Sequence, residues 1–575
     1  MHGSWMGIRS TVNYMNSTPV CFHLTGADTN THIWDVTNPA SIVRMPTTLN
    51  GSELQWTGTQ ADGIHEYIAV NVQGTQWVSA EIIGSVSTQN LHRLRNIDYI
   101  IICPEGYETI CEQLARAHEE KEGYTWAVVT DKQVYNEFSS GTPDATAYRW
   151  LMKMLYDKQY TSSPLTGTQK GSLNLLFFGN CLWDNRFVTS GLTSKSQDDY
   201  LLAYESDNSW SHTNSYVLEE YFTLLADGKG VSPLKEQPDC GVGRIPVSTS
   251  SEAKGVVDKL IAYINNDNAG AWRNTICMMG DDGNNNIHME DAENVLTNTK
   301  NLFPDYHYKR IYWDSYTRQQ SATGNSYPDA YAEINKTMEE GALIMNYTGH
   351  GAAYTLSHEQ VLKTVDFQNW ASPRPPLWLT AACDVAPFDM NTENLACEAI
   401  LNKQGGAVGF IGTARTVYSA PNRILNRNFM SHVLGMKNNG ERYTIGEALA
   451  QAKADILNSK KNYTKNDTIN KVHFILLGDP AITLARQTYK VKIDKLNGKD
   501  IDSSNPPTIS AGEIVTVEGH IVNTEGTPAT DFNGIISPTV YDSEEHIVCK
   551  NNAGEDVSPF EYNDRTRTLY AGTDS

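Results

Sequence analysis

Two short apolar runs near the middle of the chain each end on a loop that carries a reactive side chain. Residues 342–345 (ALIM) lead into the turn NYTGHG, which contains His350. Residues 377–382 (LWLTAA) end at Cys383. Runs of this length predict buried strands, and the loops at the carboxyl ends of neighbouring parallel strands meet at one edge of a sheet. The pattern therefore predicts a sheet edge at which His350 and Cys383 lie together.

A thiol with a nearby imidazole is the minimum apparatus of a cysteine nucleophile, and glycines beside the histidine let backbone N–H groups approach a developing oxyanion. Each residue alone has a simpler interpretation, because a cysteine ending an apolar strand is commonly a small buried hydrophobe. The nine cysteines lack CxxC spacing, so neither a disulfide framework nor a zinc site is predicted. Four further histidines lack partners at metal-ligand spacing and are predicted to be structural: His288, His307, His358 and His473.

The overall composition excludes several classes of function. The chain has 575 residues and a formal net charge of −22, which argues against a surface that tracks nucleic-acid phosphates. Its apolar runs are shorter than the roughly 20 residues that a membrane-spanning helix needs. The glycine-containing loops FFGN, CGVGR and MMGDDGN match neither GxGxxG nor the P-loop, so no nucleotide site is predicted.

The pattern of apolar residues changes along the chain and predicts an α/β protein with flanking β regions. Residues 1–92 contain short β-type runs separated by turn residues. Strand–helix alternation follows and predicts a doubly wound parallel sheet in two similar subdomains, 93–265 and 266–487. Residues 488–575 alternate apolar and polar residues at period two, which predicts an incomplete immunoglobulin-like sandwich.

The loop GDDGNNN, after the apolar run TICMMG, has two interpretations from its residues alone. Asp282, Asn284, Asn286 and Glu293 occupy positions 1, 3, 5 and 12 of an EF-hand-like loop, which makes structural calcium one alternative. Ile287 stands where that loop requires glycine. The other alternative is an Asx-rich turn that caps the following helix.

Taken together, the motifs resemble the gingipain family of cysteine peptidases. The resemblance rests on NYTGHG, on AACDVAPFD and on the following GGAVGFIGTA, and it extends from about Asp98 to Ala485. Within the family, AACDVAPFD and GDDGNNN resemble most the type IX secretion system sortases (the PorU type). The resemblance implies a caspase-like fold with Cys383 as nucleophile and His350 as proton shuttle. It also implies an oxyanion hole formed by the N–H groups of Gly351 and Cys383.

The resemblance assigns roles to the residues around this pair. In the family an acidic residue orients the catalytic histidine, and Asp282 is the nearest match, although the family residue is a glutamate. Where the Arg-specific members carry an acid that binds the substrate, this chain has Met289, so a small or uncharged residue is expected before the scissile bond. Tyr418 matches an aromatic pocket wall, with a surface tyrosine as the alternative. Asp384, beside the nucleophile, is also predicted to contact the substrate.

The resemblance also implies a biological role. A sortase of this type removes the C-terminal signal domain from secreted cargo and joins the cargo to anionic lipopolysaccharide at the surface of a Gram-negative cell. Its expected partners are other outer-membrane components of the secretion system. A longer protein with an upstream signal peptide is expected, and the chemistry requires no cofactor. Two alternatives stay open: a secreted endopeptidase that only hydrolyses proteins, and a catalytically inactive binding scaffold. Transfer and hydrolysis share one thioester, so the motifs do not separate them.

Overall fold

The computed structural model describes most of the chain, and it divides the chain into two compact units, Met1–Thr88 and Gln89–Ser575. The described residues are 3–82, 84–167, 169–193, 195–207, 211, 213–322, 324–459, 463–510, 512–523 and 525–572. Among them, no helix is long and apolar enough to cross a membrane.

The first unit is built from β-strands. Its four-stranded antiparallel sheet has the order Trp5–Arg9, Glu66–Asn71, Thr31–Asp35 and Val43–Arg44. Its three-stranded sheet has the order Val20–Thr25, Glu53–Gly58 and Thr48–Asn50. The side chains of Phe22 and Trp56 stack in the core with ring centroids 4.9 Å apart. The β-rich character predicted for this part of the chain is confirmed.

The second unit is organised around a ten-stranded sheet. Its strands are β1 (Tyr99–Cys103), β2 (Trp126–Thr130), β3 (Asn174–Phe178), β4 (Gly241–Ile245), β5 (Thr275–Gly280), β6 (His307–Tyr312), β7 (Ile344–Thr348), β8 (Leu377–Ala381), β9 (Gly409–Thr413) and β10 (Phe474–Gly478). The order across the sheet is β6-β5-β7-β8-β9-β10-β4-β3-β1-β2. Pairing is parallel from β6 to β9 and from β4 to β2, whereas β10 runs antiparallel to β9. The predicted α/β fold with a mostly parallel sheet is confirmed.

Helices connect these strands. They are α1 (Glu108–Glu122), α2 (Asp131–Phe138), α3 (Ala145–Gln159), α4 (Ser250–Asn265), α5 (Ile287–Leu302), α6 (Pro328–Glu340), α7 (Thr364–Asn369), α8 (Leu395–Leu401), α9 (Ser419–Val433), α10 (Ile445–Ser459) and α11 (Lys465–His473). Capping boxes begin α2 at Thr130, α4 at Thr249 and α11 at Thr464. Such a cap satisfies N–H groups that the first helical turn leaves unpaired, so the sequence itself marks where these helices start.

Both faces of the sheet are buried, which explains the uninterrupted apolar runs in the sequence. In β1, Ile101 packs in the same apolar cluster as Leu114 of α1. The alternate residues Ile100 and Ile102 pack with Leu151 of α3 in another cluster. Successive strand residues point to opposite faces, so a strand covered on both sides needs apolar residues at every position.

The C-terminal region forms small β-structures, one of which packs against the α/β core. Strands Lys490–Leu496, Lys499–Asp500 and Val517–Val522 form one sheet, Thr539–Tyr541 pairs with Thr568–Ala571, and Glu545–Val548 pairs with Glu561–Asp564. The last pair contributes Cys549 and Tyr562 to an apolar cluster with Met289 and Ala292 of α5 and Tyr312 of β6. Two further hairpins are local: Gln319–Ser321 with Gly324–Ser326, and Gly351–Ala352 with Thr355–Leu356 and Leu362–Lys363.

Candidate active site

The carboxyl ends of β5, β7 and β8 bring together the loops that carry the predicted site residues. Thr348 at the end of β7 lies opposite Gly280 of β5 on one side and Ala381 of β8 on the other. His350 and Cys383 each follow two residues later, so they occupy equivalent positions beyond two neighbouring parallel strands. The sequence-predicted sheet edge is therefore present in the fold.

Gly351 shows how closely the two loops approach each other. A Cβ atom placed on Gly351 would lie 2.6 Å from Cγ1 of Val385, 2.8 Å from Cβ of Ala382 and 3.1 Å from the carbonyl oxygen of Cys383. No side chain fits in that space, so only glycine allows the loop after β7 to pack against the loop after β8. This contact places the backbone of Gly351 beside Cys383.

The thiol of Cys383 is half-buried and lies against residue 417. Its Sγ is 3.5 Å from the backbone nitrogen of Val417, which donates to it, and 3.4 Å from the carbonyl oxygen of the same residue. Burial raises the pKa of Cys383, the N–H of Val417 lowers it in part, and the charge of Asp384 raises it. The resting cysteine is therefore a thiol, and it needs a base at the moment of attack.

His350 lies in a cluster of three imidazole rings. The ring of His358 stacks on it with centroids 4.1 Å apart and an interplanar angle of 16°, and His288 meets it edge-on at 4.9 Å. Burial lowers the pKa of His350, His358 lowers it further, and the charge of Asp282 raises it. Burial, His350 and His358 lower the pKa of His288 to about 4. At neutral pH His350 is therefore uncharged and able to accept a proton.

His288 and His358, which were predicted to be structural, both lie against the ring of His350. The chain turns back after His350, because Gly351–Ala352 pairs with Thr355–Leu356 and returns His358 to the site. His288 belongs to the first turn of α5, which starts beside the loop after β5. A hairpin signal in GAAYTL was available in the sequence for His358, whereas the position of His288 depends on the packing of α5. His307 and His473 lie outside this cluster, and their structural role stays a prediction.

Asn284, rather than Asp282, contacts the ring of His350. Nδ2 of Asn284 lies 2.9 Å from Nε2 of His350 and 3.2 Å from Nε2 of His288. The carboxylate of Asp282 instead accepts a hydrogen bond from the Tyr327 hydroxyl and lies 3.7 Å from Nη1 of Arg318. Asp282 therefore acts on His350 through its charge, and an amide holds the ring.

The four predicted calcium ligands have separate partners and do not converge. Asn286 donates to the carbonyl oxygen of Ser558 at 2.9 Å. Glu293 pairs with Arg310 at 2.8 Å and accepts a hydrogen bond from Tyr312. The physical reason is that α5 starts at Ile287, so Glu293 is carried along the helix to face β6 and away from the loop that holds Asp282 and Asn284.

Asp282 belongs instead to a group of three carboxyl groups that are close enough to share a cation. One oxygen from each of Asp281, Asp282 and Glu359 lies within 4.8 Å of the others. Among the described residues, this is the cluster of His, Cys, Asp or Glu side chains that could hold a metal ion. Oδ1 of Asp281 and Oε2 of Glu359 are buried without a hydrogen-bond partner. Burial and the charge of Glu359 raise the pKa of Asp281, and burial and the charge of Asp282 raise the pKa of Glu359. Oxygen donors of this type suit Ca²⁺.

Of the three predicted substrate contacts, two lie at the edge of the sheet near Cys383 and one is buried in the core. Tyr418 directly follows Val417, which touches the Cys383 sulfur, and its side chain is 38 % exposed, as a pocket wall requires. Asp384 also lies at this edge, where its carboxylate accepts a hydrogen bond from Thr416 at 2.9 Å. The prediction that Met289 contacts substrate is wrong, because its side chain is fully buried in the apolar cluster beneath the C-terminal hairpin.

The loop that carries Asn284 has an unusual backbone and a distant support. Asn284, Asn285 and Asn286 have φ angles of 48°, 56° and 67°, a left-handed region that costs non-glycine residues free energy. The carboxylate of Glu555 accepts a hydrogen bond from the backbone nitrogen of Asn285 at 2.8 Å, and Ser558 binds the side chain of Asn286. The C-terminal region therefore holds the loop that contacts His350.

A mostly parallel sheet with a cysteine and a histidine beyond the ends of neighbouring strands defines a caspase-like α/β fold of the cysteine-peptidase type. The sequence profile of peptidase family C25 matches residues 92–485. The chain therefore belongs to peptidase family C25, the gingipain family. Comparison with curated proteins gives no match.

Solved structures show the same fold. Dimeric latent PorU from Porphyromonas gingivalis is 24% identical with a TM-score of 0.56, over 100% of this chain and 48% of that chain. The Arg-specific cysteine proteinase gingipain R is 16% identical with a TM-score of 0.50, over 79% of this chain and 89% of that chain. The complex of Porphyromonas gingivalis RgpB pro- and mature domains is 16% identical with a TM-score of 0.50, over 77% of this chain and 88% of that chain. The chain spans about half the length of latent PorU.

Proposed function

We propose that this chain is a cysteine peptidase in which Cys383 is the nucleophile and His350 is the base. The observation that carries the proposal is the placement of both residues beyond neighbouring strands, with Gly351 packed on the Cys383 backbone. His350 removes the thiol proton as Sγ bonds to the substrate carbonyl carbon. The C–N bond then breaks, and His350 returns the proton to the departing amine. A thioester and a free amine result.

The electrostatics of the site support this sequence of steps. Both partners are neutral at rest, since the pKa of Cys383 is raised and the pKa of His350 is lowered. Charge develops only during attack, on an imidazolium ring near Asp282 and on an oxyanion near the N–H groups of Gly351 and Cys383. Each oxyanion donor contributes about 3–4 kcal/mol in comparable sites.

We further propose that the thioester is resolved by an amine, so that the enzyme is a transpeptidase. The supporting observations are the resemblance of AACDVAPFD and GDDGNNN to the type IX sortases and the likeness to PorU over the full length of this chain. The proposed substrate is secreted cargo with a C-terminal signal domain, and the proposed acceptor is anionic lipopolysaccharide. The proposed location is the outer face of the outer membrane, beside other components of the secretion system.

Structural calcium is proposed as an accessory to this chemistry, with no catalytic step. The acidic cluster of Asp281, Asp282 and Glu359 supplies the oxygen donors for it, in place of the EF-hand-like set. A bound cation there would neutralise carboxylates directly behind the loop that holds His350, and it would stabilise the fold by mass action.

The proposal is tested by incubating the protein with a cargo that bears its C-terminal signal, with and without an amine acceptor, and weighing the products. We expect the C-terminal signal domain to be released with a free amine, and the remaining cargo to be heavier than its hydrolysed form by the mass of the acceptor minus water, only when acceptor is present. Cys383→Ala and His350→Ala should each abolish this product. Free carboxyl termini with every amine tried, including the glycan acceptor, would show a hydrolase and refute the transfer step. Unprocessed cargo with the unmodified enzyme would refute the peptidase assignment.

A further inference from the structure

A cavity of about 640 Å³ lies at the end of β5 opposite the candidate active site. Arg273, in its wall, precedes β5, whereas Asp281 follows that strand. The six residues of β5 separate the two sites by about 20 Å. Other wall residues, Asp98, Tyr124 and Ser172, precede β1, β2 and β3, so the cavity is built at the amino ends of strands.

Three guanidinium groups in the cavity wall have no carboxylate partner. Arg273, Arg442 and Arg486 form no ion pair with any residue that the structure describes. Arg273 donates to the carbonyl oxygen of Gly270, Arg442 to that of Gln487, and Arg486 to those of Leu434 and Gly435. Arg486 also contacts the side chain of Tyr306, which is not a carboxylate. Nε of Arg486 is buried and has no partner. The cavity therefore has unneutralised positive charge.

The charge balance shows the same deficit of anions. Burial lowers the pKa of Arg486 to about 10, and the neighbouring Arg442 contributes to this shift. Burial also lowers the pKa of Arg273. A nearby carboxylate would oppose this lowering, and no carboxylate contributes to the shift of either arginine. Such a cluster is unexpected in a chain whose formal net charge is −22.

The acidic residues of the wall form no ion pair with the three arginines, because each has other partners. Asp98 accepts hydrogen bonds from the backbone nitrogen and the hydroxyl of Thr125, both at 2.9 Å. Glu441 pairs with Lys437 at 3.3 Å. Glu122, the third, pairs with His118 at 3.1 Å. The three arginines are thus left for something outside the described chain.

We propose that this cavity binds a small phosphorylated molecule, whose phosphate oxygens pair with Arg273 and Arg442 while Arg486 adds its charge. Guanidinium groups present planar pairs of N–H donors that match phosphate oxygens, and they stay charged at all physiological pH values. The volume lies in the range of roughly 300–1,000 Å³ that is typical of ligand sites. Tyr124 and Tyr263 also line the cavity. The site is separate from the peptidase reaction and does not depend on it.

Pyrophosphate and inorganic phosphate are suitable probes, added to the full chain in a calorimetric titration at about 50 mM salt. We expect one pyrophosphate per chain, bound at least about tenfold more tightly than phosphate, because two phosphoryl groups reach more than one arginine. Arg442→Gln and Arg273→Gln should each weaken pyrophosphate binding at least about tenfold. Arg486 is left intact, because it binds the carbonyl oxygens at the C-terminal end of α9.

Arg565→Gln is the matched control, since it removes the same charge from an exposed position outside the cavity. It should leave binding unchanged. Circular dichroism and peptide cleavage should be unaltered in all three variants, which would show that a loss of binding is not a loss of folding. The proposal is overturned if pyrophosphate does not bind, if binding survives both cavity substitutions, or if Arg565→Gln weakens it equally. Citrate binding in place of pyrophosphate would overturn the phosphate assignment.

Discussion

The two ends of β5 carry opposite electrostatic imbalances. Beyond its carboxyl end, Asp281, Asp282 and Glu359 crowd together and leave two buried oxygens without hydrogen-bond donors. Before its amino end, Arg273 shares a cavity wall with other arginines that lack carboxylate partners. Carboxyl groups relieve such repulsion by taking up protons, and the raised pKa values of Asp281 and Glu359 express this. Arginine has no such route, so a positive cluster requires a counter-ion.

This difference separates a site that the chain completes by itself from one that it leaves open. At the carboxyl end, Asn284 and the stacked imidazoles hold His350 in place within the chain. At the amino end, Arg273 and Arg442 donate to backbone carbonyl oxygens and form no ion pair with a described residue. Substitutions at the first end should therefore change chemistry, and substitutions at the second should change only ligand binding.

The largest expected effect comes from the reacting pair. Cys383→Ala or His350→Ala should lower kcat/KM for peptide cleavage by at least about a thousandfold, because each removes a group that forms or breaks bonds. Cys397→Ala is the matched control: its thiol is also half-buried, but it lies on α8 among core residues. Arg442→Gln should cleave normally. If Cys383→Ala still cleaved peptides, the candidate site would not be the active site.

The reactivity of Cys383 should rise steeply with pH. Because burial raises its pKa, little thiolate is present at neutral pH, and each pH unit below that pKa should change the alkylation rate about tenfold. The measurement is the rate of iodoacetamide labelling between about pH 6 and pH 9, followed by peptide mapping, since Cys21 is exposed and also reacts. A rate that stays flat over this range would instead indicate a preformed thiolate–imidazolium pair.

Asn284 and its support should have an intermediate effect. Asn284→Ala should lower kcat about ten- to a hundredfold with little change in KM, because the ring of His350 loses the amide that holds it. Glu555→Ala should have a smaller effect in the same direction, since Glu555 accepts from the backbone of the adjacent Asn285.

Glu555→Gln is the control for that experiment, because its amide oxygen can accept the same hydrogen bond and should restore activity. The pH profile of kcat distinguishes positioning from general destabilisation, since a misplaced His350 changes its apparent pKa. Equal losses in Glu555→Ala and Glu555→Gln, with an unchanged profile, would limit Glu555 to a structural role.

The smallest effect concerns stability at the acidic end. Glu359 has a raised pKa in the folded protein, so the folded state binds more protons than the unfolded state, and its contribution to stability is lost as pH rises through that pKa. Glu359→Gln should therefore increase the free energy of unfolding at pH 7 by less than about 1 kcal/mol, given its partial exposure. The gain should vanish below about pH 3, where the carboxyl group is protonated in both states. Denaturant unfolding at the two pH values measures this change in the free energy of unfolding. If Glu359→Gln destabilised the protein at pH 7 without added calcium, the carboxylates would not repel one another as proposed.

Several features of the site were predictable from the sequence because they are local. Apolar runs of strand length ended at His350 and Cys383, and strands covered on both faces need such runs. The glycine of NYTGHG that packs on Cys383 was likewise apparent, since close backbone approach requires it. The hairpin that returns His358 to His350 left a signal in GAAYTL, although that histidine was predicted to have only a structural role.

The sequence by itself determined that the chain forms a mostly parallel sheet with His350 and Cys383 at one edge, because hydrophobic periodicity and turn chemistry act over a few residues. The tertiary structure alone decided that Asn284 holds His350, that Met289 is buried, and that Glu555 supports the loop across 270 positions of sequence. It also decided that Arg273 and Arg486 share one cavity. Contacts between residues so far apart in the sequence leave no periodic pattern from which they could be predicted. They arise only when helices and the C-terminal hairpin pack, and packing depends on the whole set of buried side chains rather than on any one segment.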